Sequence, residues 1–225
     1  MNKVARALKL YIKAAANPFA IGFALFMMIG LSIAFVVDPD HVGGDEYFSM
    51  LGALQMGRMG IFLMIIIGNA RLQQNKFYSS TSCAKELYTI APVIFTTVIT
   101  FIYDLILGIL ALIILGTAGL SDVMVFNAIT SAMAILFAGS YNKKGLGVLG
   151  ALPYFGFLSG PVLVKRLPVE GNTLGLPLGS AALIAVGAYA AAIVLSIVIG
   201  RLWWKTGDKF AMPNKFVQNV VEGQG

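Results

Sequence analysis

Two ionisable residues lie inside long apolar stretches of the sequence: Arg58 within residues 50–70 and Asp104 within residues 87–115. A charged side chain inside a membrane is costly, so it normally faces protein or water and marks a candidate site. Counted along helices from their predicted outer ends, at about 1.5 Å per residue, both lie ~12–17 Å deep. We therefore expect Arg58 and Asp104 to form an intramembrane ion pair, which would either pack the helices or line a pathway.

Few other residues are suited to catalysis or metal binding. The chain has one cysteine, Cys83, and one histidine, His41. A single cysteine excludes an intrachain disulfide, and the two residues together cannot assemble a zinc site. No G-x-x-x-x-G-K-[ST] stretch is present to hold a nucleotide phosphate, and no Ser-His-Asp set can be argued because His41 falls in a predicted outer loop. We expect a protein that is not an enzyme and that holds no cofactor of its own.

The composition is that of a membrane protein. Hydrophobic residues make up 58% of the chain and charged residues 12%, and the mean hydropathy is +0.85; soluble domains carry roughly 25% charged residues. About twenty apolar residues cross the bilayer core as a helix. We predict an all-α integral membrane protein with six transmembrane helices preceded by an amphipathic interfacial helix. The net charge of +6 is attributed to membrane topology, and no nucleic-acid partner is expected.

The predicted organisation is one transmembrane domain over residues 1–225. It comprises an interfacial helix at 2–16, a six-span bundle at 19–200 and a cytoplasmic tail at 201–225. The six spans are 19–37, 50–70, 87–115, 123–140, 146–164 and 180–200. Residues 165–179, rich in Gly and Pro, form either a plain loop or a short re-entrant piece. Small residues recur along the last span and favour close helix packing: Ala181, Ala185, Ala188, Ala192, Ser196 and Gly200.

The N-terminal segment is amphipathic at the helical period. Its basic face carries Lys3, Arg6, Lys9 and Lys13. Its apolar face carries Val4, Leu8, Tyr11, Ile12 and Ala15. Such a helix lies in the membrane interface with its cations near anionic headgroups, and the following Asn-Pro pair ends it.

The cations predict the orientation. Six spans place both termini on one side, and thirteen of the sixteen Lys and Arg residues fall on that side. They are Lys3, Arg6, Lys9, Lys13, Arg71, Lys76, Lys85, Lys143, Lys144, Arg201, Lys205, Lys209 and Lys215. Only Lys165 and Arg166 fall on the other side, with the acidic connector 38–49. By the positive-inside rule both termini are cytoplasmic, and we expect a multi-pass protein of the cell (plasma) membrane.

A polar segment, 75–92 (NKFYSSTSCAKELYTIAP), follows the second span on the predicted cytoplasmic side. Thr81 or Ser82 can cap a short helix there, and residues 84–88 are fair helix formers. A short helix across the inner ends of two spans suits docking to a cytoplasmic partner, whereas an ordinary solvated loop is the alternative.

This segment carries basic, aromatic, hydroxyl, Cys, Lys and Leu positions. In this pattern it resembles the cytoplasmic segment of permease subunits of type-2 class ABC exporters. The layout of interfacial helix, six spans and polar segment is similar over almost the whole chain. Thr81 stands where the family usually has Pro, and Asn69 and Gln73 where an acidic residue is frequent. The resemblance implies a coupling helix that contacts an ATPase, formed by Phe77, Tyr78, Ser79, Ser80, Thr81, Ser82, Cys83, Ala84, Lys85, Glu86 and Leu87.

The resemblance also implies the partners. These are a separate ATP-binding cassette subunit, which would hold ATP and Mg, and a second permease chain in a homo- or heterodimer. The cargo would be amphipathic or hydrophobic, and six polar residues are guesses for the pathway lining: Thr96, Thr97, Thr100, Asn127, Thr130 and Ser131. Two alternatives stay open: the substrate-binding membrane component of a vitamin-type importer, and a membrane scaffold or immunity protein without transport.

Overall fold

The computed structural model describes residues 2–37, 42–44, 46–140 and 173–206, and every regular element within them is a helix. The chain forms α1 (Lys3–Ala15), α2 (Pro18–Val37), α3 (Tyr47–Met56), α4 (Met59–Gln74), α5 (Lys76–Ser79), α6 (Ala84–Thr89), α7 (Ala91–Ser140) and α8 (Leu178–Thr206). The predicted span at 146–164, the tail beyond residue 206, His41 and most of the 165–179 connector lie outside the described residues.

Four stretches of the described chain are long and apolar enough to cross a membrane: Pro18–Val37, Tyr47–Gln74, Ala91–Ser140 and Leu178–Lys205. The second consists of α3 and α4, which are separated by Gly57 and Arg58. The helices indicate a membrane-embedded protein, because apolar side chains along α2, α7 and α8 remain exposed on the surface of the bundle.

Helix α7 is a hairpin of two arms, 91–115 and 117–140, which reverses at Gly116. That residue has φ 71° and ψ −162°, a conformation that residues with a Cβ rarely adopt. Contacts across the hairpin show that the arms are antiparallel, since Ser131 Oγ lies 2.8 Å from Asp104 Oδ2. The predicted spans 87–115 and 123–140 leave residues 116–122 between them, but the chain reverses at Gly116 and residues 117–122 are already helical.

Helix α8 packs along both arms of α7 through its small residues. Ser196 Oγ donates to the Ile135 carbonyl oxygen at 2.9 Å, and a Cβ added to Gly139 would lie 2.6 Å from Ser196 Cβ. Near the end of α8, a Cβ added to Gly200 would lie 3.3 Å from Thr89 Cβ. The small-residue spacing read from the sequence therefore does face the bundle, where it permits close backbone approach.

The bundle has two distinguishable ends. At one end, here called the α1 end, a core cluster joins α1, the last turn of α4, α6, the start of α7 and the end of α8. It includes Tyr11, Leu72, Tyr88, Phe95 and Trp203. At the other end, the Gly116 end, the backbone N–H of Leu174 donates to Asp122 Oδ1 at 3.2 Å. The N-terminal helix and the end of α8 thus lie at the same end.

The face of α1 that packs against protein overlaps the predicted apolar face in part, since Tyr11 and Ala15 belong to both. Ala7, Tyr11, Ala14 and Ala15 are buried, whereas Ile12 is 46% exposed. The alanines allow close contact, since Ala15 Cβ lies 3.0 Å from the position that a Cβ on Gly68 would take. The apolar periodicity correctly predicted a helix, but the contact surface follows the small residues that permit close approach.

Candidate functional site: a central polar network and a polar segment at the α1 end

A network of seven polar side chains lies in the middle of the bundle. It is called the central polar network here and consists of Gln55, Arg58, Tyr103, Asp104, Asn127, Ser131 and Tyr189. The residues come from the α3–α4 junction, both arms of α7 and α8. Because they arrive from four parts of the chain, the network ties together the helices that surround it.

Arg58 is fully buried, and each of its three guanidinium nitrogens has an acceptor. NH2 pairs with Asp104 Oδ1, NH1 donates to Gln55 Oε1, and Nε donates to Ser131 Oγ at 3.3 Å. The guanidinium carbon also lies 5.1 Å from the centre of the Tyr103 ring, a cation–π distance. The structure thus brings together the two ionisable residues singled out from the sequence.

Asp104 is the acceptor at the centre of the network. Its Oδ1 pairs with Arg58, and its Oδ2 accepts from Ser131 Oγ at 2.8 Å and from Tyr189 Oη at 2.5 Å. Both carboxylate oxygens are therefore occupied, which is what a buried charge requires to be tolerated. Asp104 joins the two arms of α7 to α8 and to the α3–α4 junction.

The break between α3 and α4 places Arg58 in the network. At the break, Gly57 N–H donates to the Leu54 carbonyl at 3.3 Å and Arg58 N–H to the Gln55 carbonyl at 3.1 Å, the i to i−3 pattern of a 3₁₀ turn. The Tyr103 hydroxyl also donates to the Leu54 carbonyl, at 3.1 Å. An added Cβ at position 57 would lie 2.1 Å from Tyr103 Oη, so any larger residue there would have to displace the Tyr103 side chain.

Three members of the network were missed by sequence reasoning: Gln55, Tyr103 and Tyr189. Each carried a weak signal. Gln55 and Tyr103 lie within three residues of the two charges, and Tyr189 interrupts an alanine-rich span. Polar residues in apolar stretches need partners, so a search for partners of both charges would have retrieved them.

Of the six residues guessed for a pathway lining, two belong to the network, Asn127 and Ser131. Three threonine hydroxyls instead donate within their own helix: Thr97 to the Val93 carbonyl at 2.8 Å, Thr100 to Thr96 at 2.8 Å and Thr130 to Phe126 at 2.6 Å. Such back-bonding to i−4 satisfies a hydroxyl without a partner helix. Thr96 is fully buried as well, and Asn127 lines a cavity between α7 and α8.

The polar segment 76–89 at the α1 end is not one continuous helix. It forms α5 and α6, which are separated by a turn over residues 80–83. Ser80 Oγ donates to the Phe77 carbonyl and Thr81 Oγ1 to the Tyr78 carbonyl, both at 2.9 Å. These local bonds compete with helix continuation. The predicted single coupling helix over 77–87 is therefore two shorter helices, and α6 begins after Cys83 without a side-chain cap.

The 76–89 segment has a buried and an exposed side. Cys83, Ala84, Leu87 and Tyr88 are buried in the cluster at the α1 end. Ser79, Ser80, Ser82 and Lys85 are exposed, Tyr78, Thr81 and Glu86 are half-buried, and Phe77 is 60% exposed. The segment is thus anchored by one side and presents the other, with an aromatic ring among polar groups.

Tyr88 helps to fix this segment on the bundle. Its hydroxyl donates to the Leu72 carbonyl at 2.6 Å, and its ring stacks with Trp204 of α8. Burial, with a smaller contribution from Tyr78, raises the pKa of Tyr88 to about 12. The hydroxyl therefore stays protonated and able to donate at neutral pH.

The four cations of α1 lie on its exposed side. Lys3, Arg6, Lys9 and Lys13 are all exposed, opposite the alanines that pack on the bundle. Arg71, at the end of α4, donates through NH1 to the Ala14 carbonyl at 3.3 Å and so binds the end of α1. A basic surface thus flanks the 76–89 segment.

The fold and its two polar features define an all-helical protein with apolar helices that can cross a membrane. Comparison of the chain with protein-family models, with curated protein sequences and with solved structures finds no match. Among the described residues, no group of three or more His, Cys, Asp or Glu side chains is placed to hold a metal ion.

Proposed function

We propose that the chain is the membrane-spanning permease subunit of an ATP-driven exporter, which works with a separate ATP-binding subunit. The observation that carries the proposal is the 76–89 segment, which is anchored on four helices of the bundle and exposes Phe77 and Lys85. A polar segment that is anchored on the bundle transmits movement of a docked partner to the helices beneath it. A loop without such contacts would not do so.

Six spans in this subunit are supported by the direction of the described helices. The second arm of α7 ends at Ser140, close to the Ser196 region of α8, and α8 continues from there toward the α1 end. The described chain resumes near Leu174, which is bonded to Asp122 beside the Gly116 end. Ser140 and Leu174 thus lie at opposite ends of the bundle, which supports the fifth span that the sequence predicts at 146–164.

The cytoplasmic orientation is supported by the cations at the α1 end. Lys3, Arg6, Lys9 and Lys13 lie there with Arg71, and Lys85 and Arg201 are exposed at the same end. By the positive-inside rule this end faces the cytoplasm. An ATP-binding subunit is therefore placed where ATP is available, and ATP and Mg are held by that subunit.

Changing the exposed side of the 76–89 segment is expected to release the ATPase. In Phe77→Ala/Lys85→Glu, both side chains point away from the core, so the fold is retained. Buried aromatic anchors dominate interface energies, and a reversed charge opposes a complementary partner surface, so recovery of an ATP-binding protein should fall about tenfold or more. The measurement is purification of the tagged chain from its native membranes in mild detergent, with mass spectrometry of the retained proteins.

The matched control is Ile12→Ala/Lys13→Glu, which changes an exposed apolar residue and an exposed lysine on α1 at the same end. It should retain the ATPase at the unmodified level. The proposal is wrong if no ATP-binding protein accompanies the unmodified chain. Equal retention by both variants would remove the 76–89 segment as the docking site.

A further inference from the structure

A cavity of about 660 Å³ lies between the two arms of α7 and α8. Most of its lining is apolar, including Phe101, Leu105, Ile109, Leu112, Val186 and Ile193. Its three polar lining residues, Asp104, Asn127 and Tyr189, all belong to the central polar network. Phe101, Leu105, Ile109, Leu112 and Val186 are 48–68% exposed, so the cavity is an apolar groove that opens on the surface of the bundle and has one polar wall.

The polar wall offers one hydrogen-bond donor, and Arg58 determines which atom of the Asn127 amide that donor is. Because a guanidinium can only donate, Gln55 turns its Oε1 toward Arg58 NH1. Gln55 Nε2 then donates to Asn127 Oδ1 at 3.1 Å. This orientation leaves Asn127 Nδ2 as the other end of the chain of hydrogen bonds.

Asn127 is only 2% exposed, yet it lines the cavity. Among the residues that the structure describes, its side chain forms a hydrogen bond only through Oδ1. The Nδ2 group is not among the side-chain atoms that are sealed in protein without a partner, so it is accessible at the cavity wall. There it offers a donor to a hydrogen-bond acceptor within the cavity.

The charges around the cavity favour an uncharged ligand. Arg58 and Asp104 neutralise each other, and both carboxylate oxygens already accept hydrogen bonds from Arg58, Ser131 and Tyr189. A cation would have to displace one of these donors, and an anion would face Asp104. An uncharged acceptor such as a carbonyl or ether oxygen meets neither penalty.

We propose that the α7–α8 cavity binds an uncharged, mainly apolar molecule that carries a carbonyl- or ether-type oxygen at one end. The oxygen accepts from Asn127 Nδ2, and the apolar remainder lies along Phe101, Leu112 and Val186. The role of this molecule as cargo rests on the proposed function, whereas its binding in the cavity does not.

Photolabelling of the purified chain in lipid nanodiscs tests the proposal. The probe is a fatty acid methyl ester that bears a diazirine and an alkyne, and the matched probe is the alkane of equal length without the ester. Labelling is mapped by peptide mass spectrometry and normalised to labelling of the lipid-facing helix α2. Peptides that contain residues 101–128 and 182–193 should take up the ester about fivefold more than the alkane, as one added hydrogen bond implies.

Two variants distinguish the contribution of the hydrogen bond to labelling from the contribution of the cavity volume. Asn127→Leu should reduce ester labelling to the alkane level. Gly108→Leu should reduce labelling by both probes, because it fills the cavity at a position where an added Cβ has its nearest neighbour, Leu120 Cδ1, at 3.7 Å. Leu183→Phe, at an exposed position on α8, is the control and should change neither.

The proposal is overturned if the two probes label these peptides equally in the unmodified chain, or if Gly108→Leu leaves labelling unchanged. Should Asn127→Leu fail to fold, as judged by its melting temperature, Gly108→Leu decides. The labelling experiment contains no ATP-binding subunit, so its result does not depend on the proposed function. If the ester labels the cavity but no ATP-binding subunit accompanies the chain from its native membranes, the exporter function is contradicted and the binding site stands.

Discussion

Replacing Asp104 with Asn while keeping Arg58 should destabilise the bundle by about 3–5 kcal/mol, the range for breaking a buried ion pair. The amide removes the partner charge of a guanidinium that is fully buried. It also weakens the acceptor for Ser131 and Tyr189. The measurement is the melting temperature and yield of the purified protein in detergent, and both should fall sharply.

Two further variants show that the unpaired charge is the cause. Glu46→Gln removes an exposed carboxylate and should leave the melting temperature within error, since such groups contribute little. Arg58→Met/Asp104→Leu removes both charges and should recover a large part of the loss, because a buried pair can be replaced by apolar residues. An Asp104→Asn protein as stable as the unmodified one would show that the pair does not hold the bundle together.

Replacing Gly60 with Ala should disrupt the contact between α2 and α4. A Cβ at position 60 would lie 2.1 Å from Ala24 Cα and 2.6 Å from Ala24 Cβ. The obstacle is largely backbone, so the helices must separate along their contact. We expect a loss of about 3 kcal/mol, at the upper end of overpacking effects, measured as a fall in melting temperature.

Gly30 on α2 is the matched control for this substitution. It is also helical, but an added Cβ there meets nothing within 4 Å. Gly30→Ala should be neutral or stabilising by up to about 1 kcal/mol, because alanine is the better helix former. Equal effects at positions 30 and 60 would mean that α2 and α4 do not pack through Gly60.

Much of the helix arrangement followed from the sequence because apolar length and small-residue spacing are local properties. The first span, predicted at 19–37, is α2 (Pro18–Val37), and the small seam of α8 faces the bundle. The α3–α4 break was not predicted, because Gly57 and Arg58 lie within an apolar stretch that predicts one continuous span. The break depends on contacts with Tyr103 and Asp104. These residues lie 46 positions after Gly57 and Arg58, respectively.

The candidate site was predicted only in part for a similar reason. Depth along a helix can be counted, so the encounter of Arg58 with Asp104 could be expected from two charges. Which further side chains join them depends on how the helices rotate, and periodicity does not determine this among nearly uniform apolar residues. The divided 76–89 segment likewise follows from hydroxyl bonds to local carbonyls, which composition alone did not reveal.

Single-cysteine labelling in intact cells tests most directly the claim that the 76–89 segment faces the cytoplasm. Cys83 is buried and cannot report, so Ser80→Cys and Gly44→Cys are each made in a Cys83→Ala background. A membrane-impermeant maleimide should label Gly44→Cys in intact cells, and should reach Ser80→Cys only after the membrane is opened. Labelling of Ser80→Cys from outside intact cells would contradict the orientation, and with it the docking of an ATP-binding subunit on this segment.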